Sequence, residues 1–245
     1  MVSRAGSRRA RGATAPILAA AGIGAVVGGC VVAVQEFVVW SQRITLGFAA
    51  ERRLVIPEHS SLLRIAASLF AGALLLSVLG WVLGRFDKRP PTDPVEANAL
   101  RGGFLKPWDG VAVVLPILLS VACGASVGIE AAVTQIGAVL ASVVGQRLGL
   151  VRSDMPLLVG AGAAAAISAA YRAPIAGMLY AYELILGSYN RRTLVPVALA
   201  AVAAYAVVQG IAGPSRSFAL RQGTGVVWRD YPAALVIGVA ASLVG

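Results

Sequence analysis

Apolar runs alternate with short polar interruptions along the whole chain, and the runs fall into two length groups. A bilayer core takes about 20 residues of helix. Pro16 to Trp40 is long enough to cross at a tilt, with Gln35 and Glu36 near its far end, where polar groups can reach an interface. Ile65 to Leu83 predicts an uncharged crossing, opened by Ser60 and Ser61 and closed by Gly84, Arg85 and the polar stretch RFDKRPPTDP. Thr193 to Gly213 predicts another. A last run starts at Tyr231 and reaches Gly245, so an expected helix is still open at the final residue.

The second group is shorter. Val111 to Ile129 is uncharged but is expected to break at Pro116 and loosen at Gly124 and Gly128. Ala131 to Gly145, Met155 to Tyr171 and Ala173 to Leu186 each fall short of a comfortable crossing. A polar loop, Gln146 to Asp154, separates the first two, and Tyr171-Arg172-Ala173-Pro174 separates the last two, because a residue before proline leaves helical geometry. Asp93 to Gly102 predicts a short helix with Asp93 as N-cap and Pro94 at the first helical position. Broken helices at membrane depth are costly unless their freed backbone groups are buried in protein or line a cavity, and in transporters they point to the binding site. Gly24/Gly28, Gly124/Gly128 and Gly145/Gly149, each pair four residues apart, predict close helix packing.

Composition turns these runs into a class. Apolar residues make up 58% of 245 positions and charged residues 13%, and mean hydropathy is +0.80, which excludes an ordinary soluble domain and implies one polytopic, all-α membrane domain. The net charge of +10 comes largely from arginines flanking apolar runs, including Arg4, Arg8, Arg9 and Arg11. That pattern predicts a basic cytoplasmic tail over residues 1–13 and a plasma (inner) membrane location with the N-terminus inside. A cleaved signal peptide fits less well, since the first apolar run exceeds a usual signal core.

Other chemistries find little support. Cys30 and Cys123 lie inside apolar runs and read as small packing residues. Gly124-Ala125-Ser126-Val127-Gly128 matches a nucleophile elbow, but His59, the one histidine, falls in the polar loop PEHSS with no acid to orient it. There is no phosphate loop and no Cys/His cluster, so no catalytic residue, metal or cofactor is expected. The pairs Arg52-Arg53 and Arg191-Arg192 read as solvated or lipid-facing span ends.

One position stands out chemically. In GIEAAVTQIG, Gly128 to Gly137, a carboxylate interrupts two apolar runs. A charge at mid-membrane costs about 3 kcal/mol on insertion scales. Glu130 opens the Ala131 to Gly145 helix, where unpaired amides and the macrodipole favour negative charge. Two readings stay open on this ground: a capping acid, or a tethered anion competing for an anion site.

The same stretch resembles the GREGPTVQIGG signature of the CLC chloride channels and chloride/proton exchangers. Downstream, Gly160 to Tyr171 followed by Arg172-Ala173-Pro174-Ile175-Ala176-Gly177-Met178-Leu179-Tyr180-Ala181-Tyr182-Glu183 is similar to the family's alanine-rich helix and its NAPLAGILFxxE segment. The resemblance implies a fold of two inverted repeats, a homodimer or a pairing with a second half, and chloride as the transported ligand. Protons are possible co-substrates, and no nucleic acid is involved. It makes Glu130 the gate and assigns anion binding to the backbone at Gly128, Ile129, Glu130 and Ala131.

Departures from the family pattern carry information too. The family's GSGIP motif corresponds to Pro90-Pro91-Thr92-Asp93-Pro94, where Thr92 could replace the missing serine and Asp93 would repel chloride unless turned away. Tyr180 is a weaker pathway candidate. Glu183 matches the position before the exchangers' inner proton acid, whose own place is taken by Leu184. It reads as a buried structural acid, or as an inner proton site in a shifted position. The expected domain runs over residues 14–245, with a first repeat at 14–213 and a truncated start of a second at 231–245. Two rivals remain: a polytopic secondary carrier for another small solute, and a non-transporting membrane fragment.

Overall fold

The computed structural model describes residues 3–47, 62–213, 228 and 230–244. His59, Arg52-Arg53, Ser60 and Ser61 lie outside them. Every regular element among the described residues is helical. The first compact unit ends at Gly213. It contains α1 (Ser3–Leu46), α2 (Leu62–Phe86), α3 (Pro94–Arg101), α4 (Pro107–Ala122), α5 (Glu130–Arg147), α6 (Met155–Tyr171), α7 (Pro174–Tyr180), a π turn (Ala181–Leu186) and α8 (Arg191–Ala212). The second unit carries α9 (Asp230–Val244), an apolar helix with the Trp228 and Tyr231 rings 5.3 Å apart at its start.

Helix α6 is the hub of the first unit. Leu157 through Ala169 are all buried, and α1, α5, α7 and α8 pack around them. Alanine and glycine at eight of these thirteen positions make this possible, because small side chains let helix backbones come close without a hydrophobic driving force in lipid. A Cβ added to Gly162 would stand 2.2 Å from the Gly137 carbonyl oxygen, and one added to Gly137 would stand 2.3 Å from that of Gly162. Gly24 meets α8 in the same way, 2.3 Å from the Ala200 oxygen.

Three helices, Ile17–Leu46, Leu62–Phe86 and Arg191–Ala212, are long and apolar enough to cross a membrane. The shorter ones of the first unit leave terminal backbone groups that need partners. Asp93 supplies one, accepting from the Glu96 N–H at 2.7 Å as the N-cap of α3, and Gly102 closes that helix in the left-handed conformation. Buried Ser142 of α5 supplies others: its hydroxyl donates to the Gly103 carbonyl at 2.8 Å and accepts from the Leu105 N–H at 2.9 Å.

Several expectations need correction. Pro116 does not break the Val111 to Ile129 run; α4 begins earlier, at Pro107, and passes through Pro116. The break falls instead at Gly124, whose φ is +93°, so Gly124 and Gly128 are not a packing pair on a helix. Gly149, with φ +61°, is a turn residue and packs on nothing. Gln35 points into the protein and donates to the Ala170 carbonyl at 3.2 Å. Arg192 is not merely solvated; it bonds Asp154 at 3.1 Å. Cys123 is the packing residue expected, buried against Gly72.

Candidate functional site

The break between α4 and α5 treats its two helix ends differently. At the C-terminal end of α4 the Leu119 and Ser120 carbonyls accept from the backbone N–H groups of Cys123 and Ala125, and the next three accept from side chains. Gln42 donates to Val121 O at 3.1 Å, Thr45 to Ala122 O at 2.6 Å, and Ser68 to Cys123 O at 2.9 Å. Four positions after Ile129 the first α5 bond forms, from the Val133 N–H to the Ile129 carbonyl at 3.0 Å. The N–H groups of Glu130, Ala131 and Ala132 are therefore left at the helix mouth.

Glu130 turns its carboxylate back over the preceding backbone. A Cβ on Gly128 would lie 1.7 Å from Oε2, so glycine is what leaves the carboxylate this seat. The other oxygen, Oε1, accepts a short hydrogen bond from the phenol of Tyr171, the last residue of α6. Thr134 steadies the same turn by donating to the Glu130 carbonyl at 2.6 Å. The carboxylate is partly exposed, it has no arginine partner among the described residues, and Tyr171, which holds it, is 55% exposed. An acidic side chain thus sits at the positive end of a helix dipole.

Gly128, Ile129, Glu130 and Ala131 are accordingly brought together at one helix mouth. Thr92 is tied to the same helix lower down. Its carbonyl accepts from the Gln135 side chain at 2.9 Å, and its N–H donates to Asp109 at 3.3 Å. Gln135 lies five residues after Glu130, or about 7.5 Å along the axis. Thr92 is 1% exposed and its hydroxyl has no hydrogen-bond partner. Asp93 points away, occupied with capping α3.

Glu183 is not a buried acid. It is exposed on the π turn, with the Tyr189 phenol at 3.4 Å and the Tyr182 and Tyr189 rings stacked at 4.9 Å. Desolvation first, then the Glu183 charge, raises the Tyr189 phenol above its ordinary range. Tyr180 packs against the core of α3, α5 and α6. Sequence reasoning missed Tyr171, Gln135 and Asp109. Gln135 was within reach, since a buried amide in an apolar helix must find a partner.

Short helices broken inside an apolar, all-helical unit are the arrangement in which membrane transporters place their binding sites. Residues 72–245 match the family model described as voltage gated chloride channel, and the chain belongs to that family, whose members are channels and transporters. It is 32% identical over 200 residues to a ClcB-like chloride channel protein of Ralstonia nicotianae, covering 79% of this chain and 43% of that one. To the voltage-gated ClC-type chloride channel ClcB of Escherichia coli it is 35% identical over 202 residues, covering 79% and 44%. Among solved structures, a CLC-type fluoride/proton antiporter matches with a TM-score of 0.71 at 19% identity, covering 93% of this chain and 54% of that one. The chain spans less than half the length of these curated relatives.

Proposed function

We propose that this chain contributes the first-repeat half of an anion path, for chloride, with Glu130 as its gate. The observation that carries the reading is the asymmetry at the α4–α5 break. Protein side chains answer the carbonyl end, whereas the side chain that opens the amide end is a carboxylate, partly exposed and held by the Tyr171 phenol. Ionised, that carboxylate holds the place an anion would take; protonated or displaced, it frees the amides of Ile129, Glu130 and Ala131 for a passing ion. Tyr171 acts on the gate as a positioning residue, holding the carboxylate by its phenol. Thr92 offers a hydroxyl further along α5.

Half a path needs a second wall. A second inverted repeat, whether on the same polypeptide or from a second copy, completes it. The arginines at the start of α1 support an N-terminus on the cytoplasmic side of the inner membrane. Leu184, where the exchangers keep an acid, favours passive conduction over tight proton exchange.

The test is anion efflux from vesicles carrying the purified protein, with chloride and fluoride compared. Glu130→Gln will raise flux at neutral pH and flatten its dependence on acid. Flux with the wild-type pH profile in Glu130→Gln would remove the gate from Glu130.

A further inference from the structure

The end of α6 that carries Tyr171 is built in an unfavourable backbone conformation. Arg172, the C-cap of α6, has φ 54° and ψ 34°. Among the described residues no other non-glycine residue has a positive φ. Glycine or asparagine usually fills such a cap, because a larger side chain crowds the following carbonyl oxygen. The turn is closed locally by the Arg172 and Ala173 N–H groups, both donating to the Ser168 carbonyl. Glycine would make those bonds equally well, so they do not explain an arginine.

Its side chain does. Nη1 of Arg172 donates to Gln209 Oε1 at 3.1 Å and to the Gly213 carbonyl at 2.5 Å. Both acceptors belong to the C-terminal end of α8, where Gly213 is the cap, and a cation is favourably placed at the carbonyl end of a helix. Gln209 is itself fixed, its amide donating to the Tyr205 hydroxyl at 2.7 Å. Arg172 is half-buried and has no carboxylate partner among the described residues, so these two oxygens hold its guanidinium. On the other side of Tyr171, Gln35 of α1 donates to the Ala170 carbonyl at 3.2 Å. Residues 170 and 172 are thus tied to two different helices, and Tyr171 lies between them. Tyr171 is 55% exposed, so its aim comes from where its backbone is pinned more than from packing around its ring.

We infer that Arg172 is a positioning residue for the gate: its guanidinium, clamped on the end of α8, fixes the turn that directs the Tyr171 phenol at Glu130. Its role in gating rests on the gate proposed above, whereas its hold on Tyr171 is measurable without flux.

The test takes the whole chain in vesicles and reads the rate at which a carbodiimide labels Glu130, mapped by mass spectrometry, with the exposed acid Glu183 as internal control. Tyr171→Phe gives the rate of the unheld carboxyl. Arg172→Gly keeps the left-handed turn without strain and removes the guanidinium; Glu130 will label about twofold to tenfold faster, the size of one ordinary hydrogen bond. Gln209→Leu, which leaves Arg172 in place, will move in the same direction. Neither will add to Tyr171→Phe when combined with it, since both act through that phenol. An unchanged Glu130 rate in Arg172→Gly or in Gln209→Leu overturns the clamp, as does the same acceleration in a Tyr171→Phe background or an equal rise at Glu183. Faster labelling with an unaltered anion flux would strike the gate and leave the clamp standing. Unchanged labelling with a flux that still depends on Glu130 would do the reverse.

Discussion

Tyr171 donates its phenol to the carboxylate of Glu130, joining the last residue of α6 to the first residue of α5. The two are 41 positions apart in sequence. In the proposed mechanism this bond sets how firmly the gate is held. A hydrogen bond to a charged group contributes about 1.5–3 kcal/mol. Tyr171→Phe, which keeps the ring, will shift the balance toward the released carboxylate by roughly tenfold or more. Vesicle flux at neutral pH checks this, and the rise must vanish in a Glu130→Gln background.

Gly128 offers a second route to the same gate. Its missing Cβ is the space Oε2 occupies, 1.7 Å from where that atom would be. Gly128→Ala will push the carboxylate off its seat and give flux near that of Glu130→Ala. The two substitutions combined will have no larger effect than either alone, since both empty one position.

Closeness of α5 and α6 rests on Gly137 and Gly162. Gly162→Val cannot be accommodated by a rotamer change, because the collision is with backbone at Gly137. Overpacking of this kind costs about 1–3 kcal/mol. Thermal or denaturant unfolding in detergent will show the loss, and Gly29→Ala, at a position with open space around it, will show little.

Gln135 ties the Pro90–Pro94 segment to α5 through Thr92. Gln135→Leu leaves the Thr92 carbonyl unanswered inside the protein, at a cost of about 1–3 kcal/mol. Amide hydrogen exchange will rise at Thr92 and Asp93 and stay unchanged at residues 160–169, at the centre of the hub.

The membrane class, the location of the long apolar helices and the start of α5 were legible in the sequence because each is a local property. Apolar run length answers to bilayer thickness. Asp93, Pro94 and Gly102 fixed both ends of α3 within ten residues of chain. Glu130 could be placed at a helix mouth for the same reason, since Gly128 lies two positions before it. Pro116 misled because a proline's lost bond can be absorbed inside a helix, whereas the turn that did break the chain needed the positive φ of Gly124.

What the chain determined by itself was an all-helical membrane protein with an acid at the head of a broken helix. Tertiary structure alone decided what that acid touches, which carbonyls Gln42, Thr45 and Ser68 answer, and that the Arg172 guanidinium reaches Gln209 and Gly213. The physical reason is range. Hydropathy and capping act within a few residues, while a hydrogen bond between Tyr171 and Glu130, or between Arg172 and Gln209, depends on how close α5, α6 and α8 can pack, and that is set by small residues far apart in sequence.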